Sequence, residues 1–187
     1  MQETRHIYVL LTDTGTLFTK LIRVFTGAEL NHASIAFDQE LTEVYSFGRK
    51  KISNPLLAGF VKEDLNSELF KSCECALYCC TVSSDTYEQI RSHINEIERN
   101  KELYKYNLLG LFGVLFNIQI NRERAYFCSQ FVATILKENG VAISPKEPVF
   151  VTPQDIEQAP VLNEVYRGCL QKYLGKRRMK RSRSMSA

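Results

Sequence analysis

The alternation of apolar and polar positions divides the chain into segments. Residues 6–12 (HIYVLLT) form a short apolar run that ends in the turn residues Asp13, Thr14 and Gly15, which predicts a first strand. Phe18, Leu21, Ile22 and Phe25 then recur at helical spacing, predicting a short helix that stops near Gly27. Residues 32–38 (HASIAFD), a polar link over 39–42, and residues 43–47 (EVYSF) ending at Gly48 together predict a hairpin. Residues 72–82 form another β-rich run. Ser83 or Ser84 then caps a helix whose apolar stripe is Tyr87, Ile90, Ile94 and Ile97, ending near Asn100. A second apolar stretch, 107–118, reads as helical but is interrupted by Gly110 and Gly113. Residues 127–138 predict a helix, closed by Asn139 and Gly140 as a C-terminal stop.

Composition adds limits to this pattern. A chain of 187 residues that is 44% hydrophobic buries one core and predicts a single domain, without internal repeats. The net charge of +3 is unevenly spread. Residues 172–187 (KYLGKRRMKRSRSMSA) hold seven of the 24 Lys and Arg and no acidic residue, so the remaining 17 face all 21 Asp and Glu. The expected division is therefore a mildly acidic folded domain over 1–171 and a basic, disordered tail over 172–187. The first residues (MQETRHIYVLL) lack a long apolar signal region, and the longest apolar segment, 108–116 (LLGLFGVLF), is about half a membrane span. The chain reads as cytoplasmic, without a transmembrane segment.

Six cysteines in such a chain are expected to be reduced thiols rather than a disulfide framework. Four crowd into CECALYCC as Cys73, Cys75, Cys79 and Cys80, with spacing that matches no paired zinc pattern and only His93 nearby. They read as small buried hydrophobes of a strand. No metal or organic cofactor is expected, and Cys169 carries no separate signal.

Cys128 stands apart. It falls in the first turn of the helix over 127–138, with Phe131, Val132, Ile135 and Leu136 on one buried face. Free backbone N–H groups and the positive end of the helix dipole favour a thiolate there. A nucleophilic thiolate needs a base, and the chain has three histidines. His6 precedes the first strand beside charged residues and is expected to be exposed; His93 sits at the boundary of the long helix's apolar stripe. His32 opens a strand between Asn31 and small residues, where an imidazole can face a helix N-terminus across a cleft.

The run Cys128-Ser129-Gln130-Phe131-Val132 resembles the CSGFV-type nucleophile motif of NlpC-type cysteine peptidases, and NHASIAFD resembles their histidine strand. Here the histidine precedes the cysteine by 96 positions. That order is similar to the circularly permuted NlpC-type proteins, the group of YiiX-like and YycO-like bacterial proteins and the lecithin:retinol acyltransferase branch. SFGRK and TPQDI also look like YycO-type members, so the resemblance spans roughly residues 5–160.

The resemblance implies an α+β, papain-like fold with an antiparallel sheet carrying His32 packed against the helix that presents Cys128. It also implies a third catalytic residue on the strand after the histidine strand, orienting the imidazole through its second nitrogen. Alignment of the hairpins puts Ser46 there, a departure from the usual His, Asn, Gln or Glu. A shift of one residue would turn Glu43 or Tyr45 inward instead.

The function that follows is a cysteine hydrolase, of amidase or peptidase type, acting through Cys128 and His32 and a thioester on a small amide or peptide-like substrate. Two alternatives stay open. One is an acyltransferase or lipid-acting enzyme of the same fold, with LLGLFGVLFNI as an acyl pocket. The other is a non-catalytic binding module, which a serine in the orienting place would suit. The basic tail could hold an anionic surface, but without interleaved aromatics no specific nucleic-acid partner is expected. Oligomeric state is left open.

Overall fold

The protein is described by a computed structural model over residues 3–14, 29–50, 58–107, 109–110, 118, 120 and 122–185. The helix expected through Phe18 to Phe25 and most of the 107–118 stretch lie outside those residues.

Strands β1 (Thr4–Thr12), β2 (His32–Ala36), β3 (Val44–Arg49), β4 (Ala58–Lys62), β5 (Glu74–Ser83) and β8 (Asn163–Cys169) form one six-stranded sheet in the order β4-β3-β2-β1-β5-β8, and every neighbouring pair is antiparallel. A short parallel pair, β6 (Lys105–Tyr106) and β7 (Ala125–Tyr126), completes the strands among the described residues. Helices α1 (Ser84–Arg99), α2 (Cys128–Glu138), α3 (Pro153–Glu157) and α4 (Leu170–Met185) make the architecture mixed α+β.

Strand alternation gives the sheet two faces, both covered. Ile7, Val9, Leu11, Ile35, Phe47 and Tyr78 point to the face on which α1 and α2 pack with Ile90, Ile94, Phe131 and Ile135. Tyr8, Leu10, Val44, Cys75 and Leu77 point to the opposite face, where Leu170, Tyr173 and Leu174 of α4 close a second core. Three layers result, α1 and α2, the sheet, and α4.

Several expectations match in detail. The hairpin of β2 and β3 forms with the anticipated polar turn, and Asp38 fastens that turn by accepting from Thr42 N at 3.0 Å and Glu43 N at 3.0 Å. Helix α1 is capped by Ser83, whose side chain accepts from Thr86 N at 3.1 Å, and it buries Tyr87, Ile90, Ile94 and Ile97. Helix α2 ends at Asn139, and Gly140 takes φ +81°, the left-handed stop that glycine adopts freely. All six cysteines are free thiols.

The basic segment is different from its expectation. Residues 172–185 belong to α4, which begins at Leu170. Charge density predicted disorder because it took no account of a stripe of three apolar residues. Leu170, Tyr173 and Leu174 recur at helical spacing and bury against the sheet, while Lys172, Lys176 and Arg178 are exposed.

Candidate active site

Helix α2 delivers Cys128 as its first residue. The preceding position, Phe127, has no side-chain acceptor, so it caps none of the helix's free N–H groups. Those donors remain available to the sulfur, and the backbone N–H of Ser129 takes up that role together with the N–H of Ala33 on β2. The thiol also lies 3.9 Å from the Asn31 carbonyl oxygen. Strands β2 and β3 pair through Ile35 with Tyr45 and Ala36 with Val44, leaving the Asn31–Ala33 end of β2 free to receive the helix terminus.

His32 is the first residue of β2 and the side chain that does most to lower the Cys128 pKa. Its Nε2 lies 2.8 Å from Oε1 of Glu63, which leaves Nδ1 for the sulfur. Both side chains are nearly buried, at 12% and 8% exposure. Burial alone would push the imidazole toward neutrality, but Cys128 and Glu63 outweigh it by hydrogen bonds and charge and raise the His32 pKa to about 10. Burial likewise pushes the Cys128 thiol up, and the His32 hydrogen bond and charge, with the Ala33 and Ser129 N–H groups, bring its pKa below the ordinary thiol value. The two directions agree, since each partner favours the charged form of the other.

The orienting place requires a correction. Ser46 has the anticipated register on β3 and is fully buried, but it does not hold the imidazole itself. Its hydroxyl donates to Oε1 of Glu63, and Glu63 holds His32. The carboxylate has the length to engage both partners across the sheet, which a serine on the neighbouring strand lacks. The other candidates point elsewhere. Glu43 is 2.8 Å from Arg91 of α1, and Tyr45 is a core aromatic packed against Phe37 and Phe60.

Glu63 was not anticipated because β4 was not. Residues 58–62 (AGFVK) are short and contain a glycine, and without that strand its terminal carboxylate had no assigned place. The available signal was a carboxylate directly after an apolar run, adjacent in space to the hairpin. Gly48 marks the crowding at the same point. A Cβ there would lie 3.2 Å from Ser46 Oγ, 3.3 Å from His32 Cε1 and 3.4 Å from Glu63 Oε1.

Tyr106 completes the surroundings. Burial, then the negative charge of Cys128, raise its phenol well above the usual value, with Arg49 opposing. The other histidines lie elsewhere. His6 is exposed and 3.3 Å from Thr81 Oγ1, and His93 is a boundary residue beside Asn139 and Glu138. Among the described residues no three His, Cys, Asp or Glu stand together as a metal site, and no helix is long and apolar enough to cross a membrane. No family model matches the chain, and no curated protein matches it.

Proposed function

We propose that the protein is a thiol hydrolase of amidase or peptidase type, with a permuted NlpC-like, papain-type arrangement of its site. One observation carries this reading: His32, whose Nε2 lies 2.8 Å from the Glu63 carboxylate, is the group that draws the pKa of buried Cys128 at the start of α2 downward. Nucleophile, base and orienter in that sequence of contacts are what covalent acyl transfer requires. Supporting it, the histidine precedes the cysteine in the chain, the order of the permuted group that the two motifs resemble.

The chemistry follows from the pair. The Cys128 thiolate adds to an amide carbonyl, and the resulting oxyanion is met by the backbone N–H at the helix start. His32, already protonated, passes its proton to the leaving amine as the C–N bond breaks, leaving a thioester on Cys128. The neutral imidazole then takes a proton from water, whose oxygen displaces the sulfur and releases the acid. Glu63 keeps the ring oriented and its charge balanced throughout, and Ser46 steadies Glu63. The alternative of a purely binding module drew on serine as the orienter and on the basic tail; Glu63 beside His32 favours the catalytic reading.

The substrate class proposed is a small amide or peptide-like molecule. A panel of peptide amides and activated acyl esters, quenched and read by intact-mass spectrometry, tests the reading. The expected result is one acyl adduct, mapped to Cys128, with turnover that disappears in Cys128→Ser. An intact thiolate pair that acquires no acyl group from any member of the panel would contradict it.

A further inference from the structure

The basic helix α4 does more than fill the second core. Its side chains fasten the loop that follows Glu63 and the β2–β3 turn. On one side, Gln171 Nε2 donates to the carbonyls of Leu65 at 2.9 Å and Phe70 at 3.1 Å, holding the loop that leaves β4 immediately after Glu63. On the other, the Tyr173 hydroxyl donates to the Gln39 carbonyl at 2.8 Å, and Arg177 reaches Gln39 Oε1 at 3.1 Å and the Glu40 carboxylate. The second attachment falls on a strained point. Leu41, in the same turn, has φ +58°, a left-handed conformation that a branched side chain adopts only when its surroundings impose it.

Glu63, Leu65, Leu41, Leu174 and Arg177 line one cavity of about 530 Å³. His32 from β2 contacts the carboxylate, and the charged residues that line the cavity with Glu63 are Glu40 from the turn, Lys62 from β4, Asp64 from the loop, and Arg177 and Arg178 from α4. Ser46 Oγ and His32 Nε2 both converge on Oε1, so small movements of the loop change both bonds together.

We propose that α4 is a positioning element for the Cys128–His32 pair, with Gln171 its principal positioning residue, acting by fixing the loop that carries Glu63. This rests on the hydrolase site described above and assigns that site a regulator within the same chain. A displaced α4 releases the loop, lets water reach the Glu63 carboxylate and weakens its hold on the imidazolium. Reactivity at Cys128 then falls although no residue touching the sulfur has changed.

The test uses the full chain and compares iodoacetamide labelling of Cys128 against pH in the parent, Gln171→Met, which keeps the length and loses both donors, and Gln171→Lys, which restores a donor. Expected is an upward shift of the Cys128 profile in Gln171→Met of about half a unit, with partial recovery in Gln171→Lys. Arg177→Gln, fastening the other loop, gives a second reading should Gln171→Met not fold, and a smaller shift in the same direction is expected. Profiles that superimpose on the parent's, whatever happens to the melting temperature, would leave α4 a purely structural helix and overturn the proposal. A parent in which His32→Ala leaves Cys128 labelling unaltered would instead mean that the catalytic pair itself is wrong, so the two failures are told apart.

Discussion

Two groups of buried thiols in this protein have opposite chemistry. Cys73 and Cys75 are buried at the start of β5, and burial with nearby negative charge raises their pKa to about 11 and about 12. Cys128 is just as enclosed, at 6% exposure, yet its pKa is lowered. Burial opposes ionisation in both places, so the difference comes from partners. The β5 thiols sit in a strand whose backbone groups are occupied by the ladder with β1 and β8. Cys128 sits where a helix leaves its N–H groups unspent and where an imidazolium faces it. Burial alone therefore does not set the direction of these shifts; the neighbouring groups do.

The strongest way to break that contrast is to remove its charge partner. His32→Ala should return Cys128 to the free-thiol range near 8.5 or above, reducing its labelling rate at neutral pH by roughly thirtyfold or more, while the β5 thiols stay unchanged. Cleavage of any amide substrate should be lost with it. Next in size is Glu63→Gln, which keeps the shape and removes the charge. The Cys128 profile should move up by about one unit, read from the same labelling series.

The pH dependence of the parent has a defined sign. His32 is protonated more readily in the folded protein, so the stability it contributes is fully present below its unfolded pKa near 6.5 and is lost as pH rises toward about 10. Turnover should rise on the acid side as Cys128 ionises and fall near pH 10 as His32 gives up the proton it must donate. A rate profile without that alkaline fall would separate His32 from the proton transfer. A subtler probe is Gly48→Ala, which presses a methyl group against Ser46, His32 and Glu63 and should slow labelling a few-fold at a cost of about 1 kcal/mol in stability, measured by denaturant unfolding. Smallest of all is Cys75→Ala, expected to leave Cys128 labelling unchanged.

Much of this site was readable in the sequence because its parts are local. Cys128 at a helix start and His32 at a strand start are set by nearby residues, and the stripe Tyr87, Ile90, Ile94 and Ile97 needed only helical periodicity. Ser46 was read in the correct register for the same reason, since strand alternation fixes its face. Glu63 was not readable, because its role depends on pairing between β3 and β4 and on a strand only five residues long. The helical state of residues 172–185 escaped for a related reason. Its apolar stripe is short, and it becomes stabilising only when the sheet's second face is there to receive it.

The most direct test of the central claim is competition among the six thiols of the parent protein. A limiting pulse of iodoacetamide at pH 7, digested and mapped by mass spectrometry, ranks them in one experiment. Cys79 and Cys169 are the more exposed, and Cys128 is nearly covered. Modification concentrated on Cys128, and lost from it in His32→Ala, is the expected outcome. Labelling that follows exposure, with Cys79 and Cys169 ahead and Cys128 indifferent to His32, would contradict the thiolate pair and with it the proposed hydrolase.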